Sequence, residues 1–289
     1  EEGEVQTVET MIKCIVIASG NDASAAMAEH ISGSEDAFVA AMNQKAGELG
    51  MTGTHFVDCC GLTDSDDHYT TAKDVALMAR ALITNYPEIS EYATIWMENI
   101  THETKRGSSE FGLSNTNKLL KMANNFEVTG LKTGSTAKAG YCFCGTAVKD
   151  GLNLIAVVMD APDYKIRFSE VQQLFNYGFG SCRLYTDENR DPLPDAEVRG
   201  GTEPSVSCKY QEGFRYLDTE GMDFSLVKKE ILLREDLMAP IEKGETLGKA
   251  VYRLNGEVLG EVPIVAGETL KKAEFLDYLK KLWERYQSI

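Results

Sequence analysis

The chain has 289 residues, 43% of them hydrophobic and 26% charged, which is long enough for two globular domains, each with its own core. Its formal net charge of −16 excludes a protein that grips nucleic-acid phosphates, since that task needs clustered Lys and Arg. No stretch reaches the roughly 20 apolar residues of a membrane span. The acidic start Glu1-Glu2-Gly3-Glu4 is the reverse of a signal peptide's basic region, which still leaves room for the mature part of an exported protein.

In chain order, Val8, Met11, Ile12, Ile15 and Val16 recur at helical spacing and predict a helix over residues 5–17. A second helix is predicted from Ala23 to Ile31, with the polar triplet Ser19-Gly20-Asn21 between the two. The stretch from Ser34 to Gly50 reads as a third, with a serine cap, an acidic first turn and a glycine stop. A fourth starts at Thr70 or Thr71 and ends before Pro87, so the first 100 residues are expected to be mainly helical.

From about residue 125 the period changes. The runs "FEVTGLKTG", "GYCFCGTAVKD" and "LNLIAVVMDA" are β-rich and separated by Gly and Asp-Gly turns, which predicts an antiparallel meander. The segment from Pro162 to Gly180 returns to helix. Helices, then strands, then a helix describe an α+β domain with a helix-covered sheet.

Past residue 182 the texture becomes rich in Pro, Gly and charge, as at a domain boundary. Short strand-like runs over residues 197–265 predict a small all-β domain. The end "ETLKKAEFLDYLKKLWERYQSI" reads as an amphipathic helix, with Leu270, Phe275, Leu279, Leu282 and Trp283 near one face. Lys271, Lys272, Lys280 and Lys281 flank that face, an arrangement suited to anionic lipid.

Seven cysteines (14, 59, 60, 142, 144, 182 and 208) and four histidines show no metal-ligand spacing. Most of the cysteines are expected to be small buried hydrophobes. His68 and Asp74 read as structural.

Two triplets carry chemistry. Lys132-Thr133-Gly134 ends a predicted strand, where a fixed positive charge beside hydroxyls can hold a carboxylate. Gly134 lets a ligand backbone approach the strand edge. Ser19 offers a hydroxyl for proton relay, and Asn21 an amide for a peptide-like substrate. Alone, each triplet is ordinary turn chemistry.

In this order, one after a helix and one on a strand, the triplets resemble the second and third signatures of the penicillin-recognising serine enzymes, whose set is S-x-x-K, S-x-N and K-T-G. The stretches "SGNDASAAMAEHISGSEDAF", "LGMTGTHFVDCCGL", "DDHYTTAKDVALMARALI" and "GLKTGSTAKAGYCFCGTA" resemble the low-molecular-weight D-alanyl-D-alanine carboxypeptidases over about residues 5–182. The β-rich extension and terminal helix are similar to that family's second domain and membrane anchor.

The resemblance implies an antiparallel sheet covered by helices, with a helical subdomain, over residues 1–182. A small all-β domain would follow over 183–267 and a C-terminal amphipathic helix over 268–289. It implies a serine carboxypeptidase that removes the terminal D-alanine from peptidoglycan stem peptides through an acyl-enzyme, inhibited by β-lactam antibiotics, with no cofactor or metal. It places the protein outside the cytoplasm in a bacterial envelope, peripheral on the outer face of the cytoplasmic membrane.

By resemblance, Ser19 passes a proton to the leaving D-alanine and Asn21 bonds the substrate amide. Lys132 attracts the terminal carboxylate with the hydroxyls of Thr133 and Thr136, and the Ser135 N–H forms half of an oxyanion hole. None of the residues before Ser19 is a serine, so the nucleophile of S-x-x-K is expected upstream of Glu1. The two Ser-x-x-Lys matches within the chain, at Ser135 and Ser225, are not expected to supply it. The alternatives are a non-catalytic peptidoglycan-binding module and a class A β-lactamase-like hydrolase. The long β-rich extension disfavours the latter.

Overall fold

The computed structural model describes residues 3–104 and 107–287. It divides into two compact units, Glu1–Gly180 and Ser181–Ile289, with separate hydrophobic cores.

The first unit opens with α1 (Val8–Ala18), α2 (Asn21–Ser32), α3 (Glu35–Glu48), α4 (Ala72–Asn85) and the short α5 (Ile89–Ala93). Three of these helices begin as their sequences dictate, with Thr7, Ser34 and Thr71 each accepting a first-turn N–H. Asp74, almost fully buried, accepts from Gly53 N at 2.8 Å and Thr54 Oγ1 at 2.7 Å, tying the loop after α3 to α4. His68 Nδ1 accepts from Val57 N at 3.2 Å in the same loop, a structural role.

An antiparallel hairpin follows, formed by β1 (Met97–Thr104) and β2 (Gly107–Ser114). The sequence reading had no strands here. "MENITHET" and "GSSEFGLS" lack apolar alternation because only Ile100 and Leu113 turn into the core.

The expected meander is present as β3 (Glu127–Thr136), β4 (Gly140–Lys149) and β5 (Leu152–Ala161), in the order β3-β4-β5. Helix α6 (Ile166–Ser181) covers one face, burying Phe168, Val171 and Phe175 against Phe143, Ala147 and Ala156. On the other face Leu131 and Cys144 pack with Val16 of α1, Val75 and Ala79 of α4, and Ala93 of α5. The sheet is therefore held from both sides, and the edge of β3 away from β4, unpaired among the described residues, lies beside the end of α1.

The second unit contains β6 (Arg183–Asp187), β7 (Ala196–Glu197), β8 (Ser205–Val206), β9 (Cys208–Tyr210) and β10 (Phe214–Asp218). It continues with β11 (Lys228–Leu233), β12 (Thr246–Leu254), β13 (Glu257–Ala266) and α7 (Phe275–Gln287). Strands β11-β12-β13-β9 form its largest sheet.

Two expectations need correction. Leu270 does not belong to the amphipathic face: it is buried in this unit's core and bridges to Ile241, and the helix begins at Phe275. Lys272 likewise precedes the helix, in a bridge to Gly201, and the side chain of Lys281 lies outside the described residues. Of the seven cysteines, all unbridged, only Cys144 is buried; the other six are half-buried, Cys14 and Cys208 at the margins of core clusters.

Candidate active site

The break between α1 and α2 is only two residues long. Ser19 ends α1 in the left-handed region at φ 59° and ψ 43°, its N–H bonded to Ile15 O at 3.1 Å. Gly20 N reaches back to Cys14 O at 3.0 Å and caps α2, whose first residue is Asn21. A non-glycine residue in this region carries strain of about 1 kcal/mol or more, which persists only where surrounding structure over-determines it. The consequence is that the Ser19 hydroxyl and the exposed Asn21 amide stand on adjacent helix ends at one mouth.

Lys132 of β3 meets Ser19 there. Its Nζ donates to Ser19 Oγ at 2.7 Å and to Thr133 O at 2.9 Å. Burial, with a smaller contribution from the Arg167 guanidinium, lowers the Lys132 pKa from 10.5 to about 8. In a chain of net charge −16 this is a local positive well, and it selects an anion.

The remaining residues of the Lys132 strand divide. Gly134 is exposed with open space where a Cβ would lie, so a ligand can lie against the strand. Ser135 is exposed as well. Thr133 does not face the well: its hydroxyl is buried and shares a hydrogen bond with Thr116 Oγ1 at 2.7 Å. Thr136 Oγ1 accepts from Ala139 N at 3.0 Å, which fixes the β3–β4 turn and leaves its proton free to donate.

Sequence reasoning missed Thr116 and Arg167. Thr116 sits in an irregular segment whose only signal is its polarity. Arg167 did carry a signal: it falls at i, i+4 and i+8 with Val171 and Phe175, so a cation occupies the buried stripe of α6. Its Nη1 donates to Gly134 O at 3.1 Å and Cys142 O at 3.2 Å, directly behind the strand edge.

The D-alanyl-D-alanine carboxypeptidase family matches residues 1–163, and the C-terminal domain of penicillin-binding protein 5 matches residues 188–272. The chain belongs to the D-alanyl-D-alanine carboxypeptidase family. Among this family's members, carboxypeptidase DacF of Bacillus subtilis is 38% identical over 99% of this chain and 73% of its own length. DacC of Escherichia coli is 33% identical over 98% of this chain and 68% of its own length. The crystal structure of penicillin-binding protein 5 from Haemophilus influenzae is similar at a TM-score of 0.68 and 30% identity, covering 92% of this chain and 75% of that one. The cefotaxime-bound structure of penicillin-binding protein D2 from Listeria monocytogenes shares 34% identity at a TM-score of 0.52, over 60% of this chain and 67% of its own.

The activity of this carboxypeptidase family is hydrolytic and serine-based, as its signatures imply, and the helix-covered sheet followed by an all-β unit is the family's fold. The lysine of one internal Ser-x-x-Lys match and the serine of the other are engaged elsewhere. Lys138 is engaged by Asp66 and by Asp64 O at 3.1 Å. Ser225 Oγ donates to Asp223 at 2.7 Å in the second unit.

Proposed function

We propose that Ser19, Asn21, Lys132, Gly134, Ser135 and Thr136, with Thr133 behind them, form the peptide site of a serine D-Ala-D-Ala carboxypeptidase acting on peptidoglycan stem peptides. The observation that carries this reading is the 2.7 Å contact between Lys132 Nζ and Ser19 Oγ, beside the open edge at Gly134. The terminal carboxylate of the substrate enters the positive well at Lys132, and Thr136 donates to it. Thr133 supports the strand through Thr116.

The acyl-accepting serine, a residue other than Ser135 and Ser225, attacks the carbonyl of the penultimate D-alanine. A C–O bond forms and the C–N bond breaks. The attacking hydroxyl passes its proton to the lysine base of its own S-x-x-K signature; the leaving amine takes a proton from Ser19, Lys132 reprotonates Ser19, and that base returns the proton to Lys132. Water then hydrolyses the ester. The Ser135 N–H stabilises the oxyanion in both steps, and Asn21 bonds the amide of the acyl portion.

The test is release of free D-alanine from a peptide ending in D-Ala-D-Ala by the active enzyme. Ser19→Ala is expected to lower kcat by roughly 100-fold, the upper part of the range for losing a proton-transfer step being ~10⁴. Wild-type kcat in that variant would remove Ser19 from the relay. Peptide binding without any release would leave a peptidoglycan-binding module.

A β-lactam offers the same site a carboxylate and a strained carbonyl, so stable acylation by penicillin belongs to this reading. The work is placed outside the cytoplasm, on the outer face of the bacterial membrane. In support, α7 exposes Phe275, Leu276, Leu279, Leu282, Trp283 and Tyr286, which fall on one helical face. No helix among the described residues is long and apolar enough to cross a membrane. Flotation with anionic vesicles is expected for the full chain and lost on truncation after Glu274, which removes α7 and leaves Leu270 and Ala273 in the core. Equal flotation of both would remove the surface helix from the account.

A further inference from the structure

We propose that Arg167 is a positioning residue that acts on the reaction through the peptide unit joining Gly134 to Ser135. The inference rests on the reading of the Ser135 N–H as an oxyanion donor.

Among the described strands β3 pairs only with β4, in a register that sets Gly134 opposite Cys142. One nitrogen of Arg167, Nη1, lies 3.1 Å from Gly134 O and 3.2 Å from Cys142 O. Two carbonyls of directly facing residues can share one donor only if both point into the gap between the strands. Gly134 O therefore points toward β4. The peptide unit is planar and trans, so its other end, the Ser135 N–H, points the opposite way, out of the free edge of β3. That is where a reacting carbonyl would lie.

A hydrogen bond to the carbonyl end of an amide polarises the unit and strengthens the donor at its nitrogen end, by about 10–30% per bond in condensed phase. A guanidinium does this more strongly than a neutral donor because the bond is charge-assisted. It also holds the amide plane, so the donor is aimed before the oxyanion forms.

The cost of this arrangement is visible. Arg167 is only 8% exposed, and its Nε is buried without a hydrogen-bond partner. Its ring neighbours are Phe168 and Tyr141, at 4.8 and 5.5 Å, rather than a carboxylate. Leaving a buried cation without an anion is destabilising. A methionine would fill the same slot on the apolar stripe of α6 without that cost, so simple packing does not account for an arginine.

The experiment uses Arg167→Met and Arg167→Lys in the active enzyme with two thioester substrates. One carries a carboxylate on its leaving group and the other a methyl group in its place. Acylation rates are measured for both, together with the infrared carbonyl stretch of the acyl-enzyme before and after denaturation. Removing an oxyanion donor costs 10²–10³ in rate, so weakening one is expected to cost about tenfold. Arg167→Met should show that loss on both substrates, with the carbonyl stretch moved toward its denatured value. Arg167→Lys keeps the charge but loses the fixed fork, and should fall between.

A loss confined to the carboxylate substrate would overturn the proposal and make Arg167 a carboxylate ligand. Wild-type rates and stretch in the variants would overturn it while leaving the Ser135 reading intact. A wild-type stretch that does not change on denaturation would overturn the Ser135 reading itself, and this inference with it. Should Arg167→Met fail to fold, the intermediate values of Arg167→Lys carry the test, and wild-type values there overturn it.

Discussion

Lys132→Ala is expected to lower kcat/KM on a D-Ala-D-Ala peptide by roughly 100-fold, because it removes two functions at once. The first is the charge that meets the terminal carboxylate, a contact of about 1.5–3 kcal/mol when charge-assisted. The second is the proton partner of Ser19, 2.7 Å away. Most of the loss should appear in kcat, since the relay is used only as the C–N bond breaks. Unchanged kinetics would remove Lys132 from the site.

The same residue sets a pH dependence. Only the protonated ammonium attracts a carboxylate, and its pKa is lowered to about 8. Affinity for carboxylate-bearing substrates should therefore fall as pH rises through about 8. Folding stability moves the other way. Between about 8 and 10.5 the unfolded chain holds this proton and the folded chain does not, so the Lys132 contribution to stability rises with pH across that window. A bound carboxylate should raise the lysine's pKa, which is the source of the affinity trend, and flatten the stability trend.

The second large effect is on stability. Phe143 is 1% exposed, faces Thr133 across the β3–β4 pair, and meets Phe168 edge-on at 5.1 Å. Phe143→Ala should cost about 3–5 kcal/mol through lost burial and the cavity left behind. For a unit of this size that is a fall in Tm on the order of 10 °C. Amide exchange should speed up in β3, β4 and α6 while protection of β12 and β13, whose core is separate, stays unchanged. Uniform loss of protection in both units would mean that their cores are coupled.

Most of the helices and the meander were legible because their apolar residues follow a helical period or form strand-like runs. The terminal helix was placed too early, since "ETLKKAEFL" continues its pattern. Yet Leu270 is drawn into the all-β core by its bridge to Ile241. The β1–β2 hairpin was illegible because mostly polar strands with open faces leave no periodic signature. Ser19, Lys132 and their neighbours were found as short triplets, which sequence can display. What it could not display is Thr133 turning its hydroxyl toward Thr116, or Arg167 reaching back to Gly134 O, contacts made across 17 and 33 residues of chain.

The free edge of β3 has one more consequence. An unpaired strand edge is a template on which another copy of the chain can add a strand and begin to aggregate. Here the Lys132 ammonium sits on Thr133 O, so one backbone acceptor is already taken and a charge guards the row. The lysine proposed to hold the substrate's carboxylate would thus also keep the strand from recruiting the wrong partner. Lys132 variants should not only lose activity but also self-associate at concentrations where the wild type stays monodisperse, and a short peptide that pairs with β3 should suppress it.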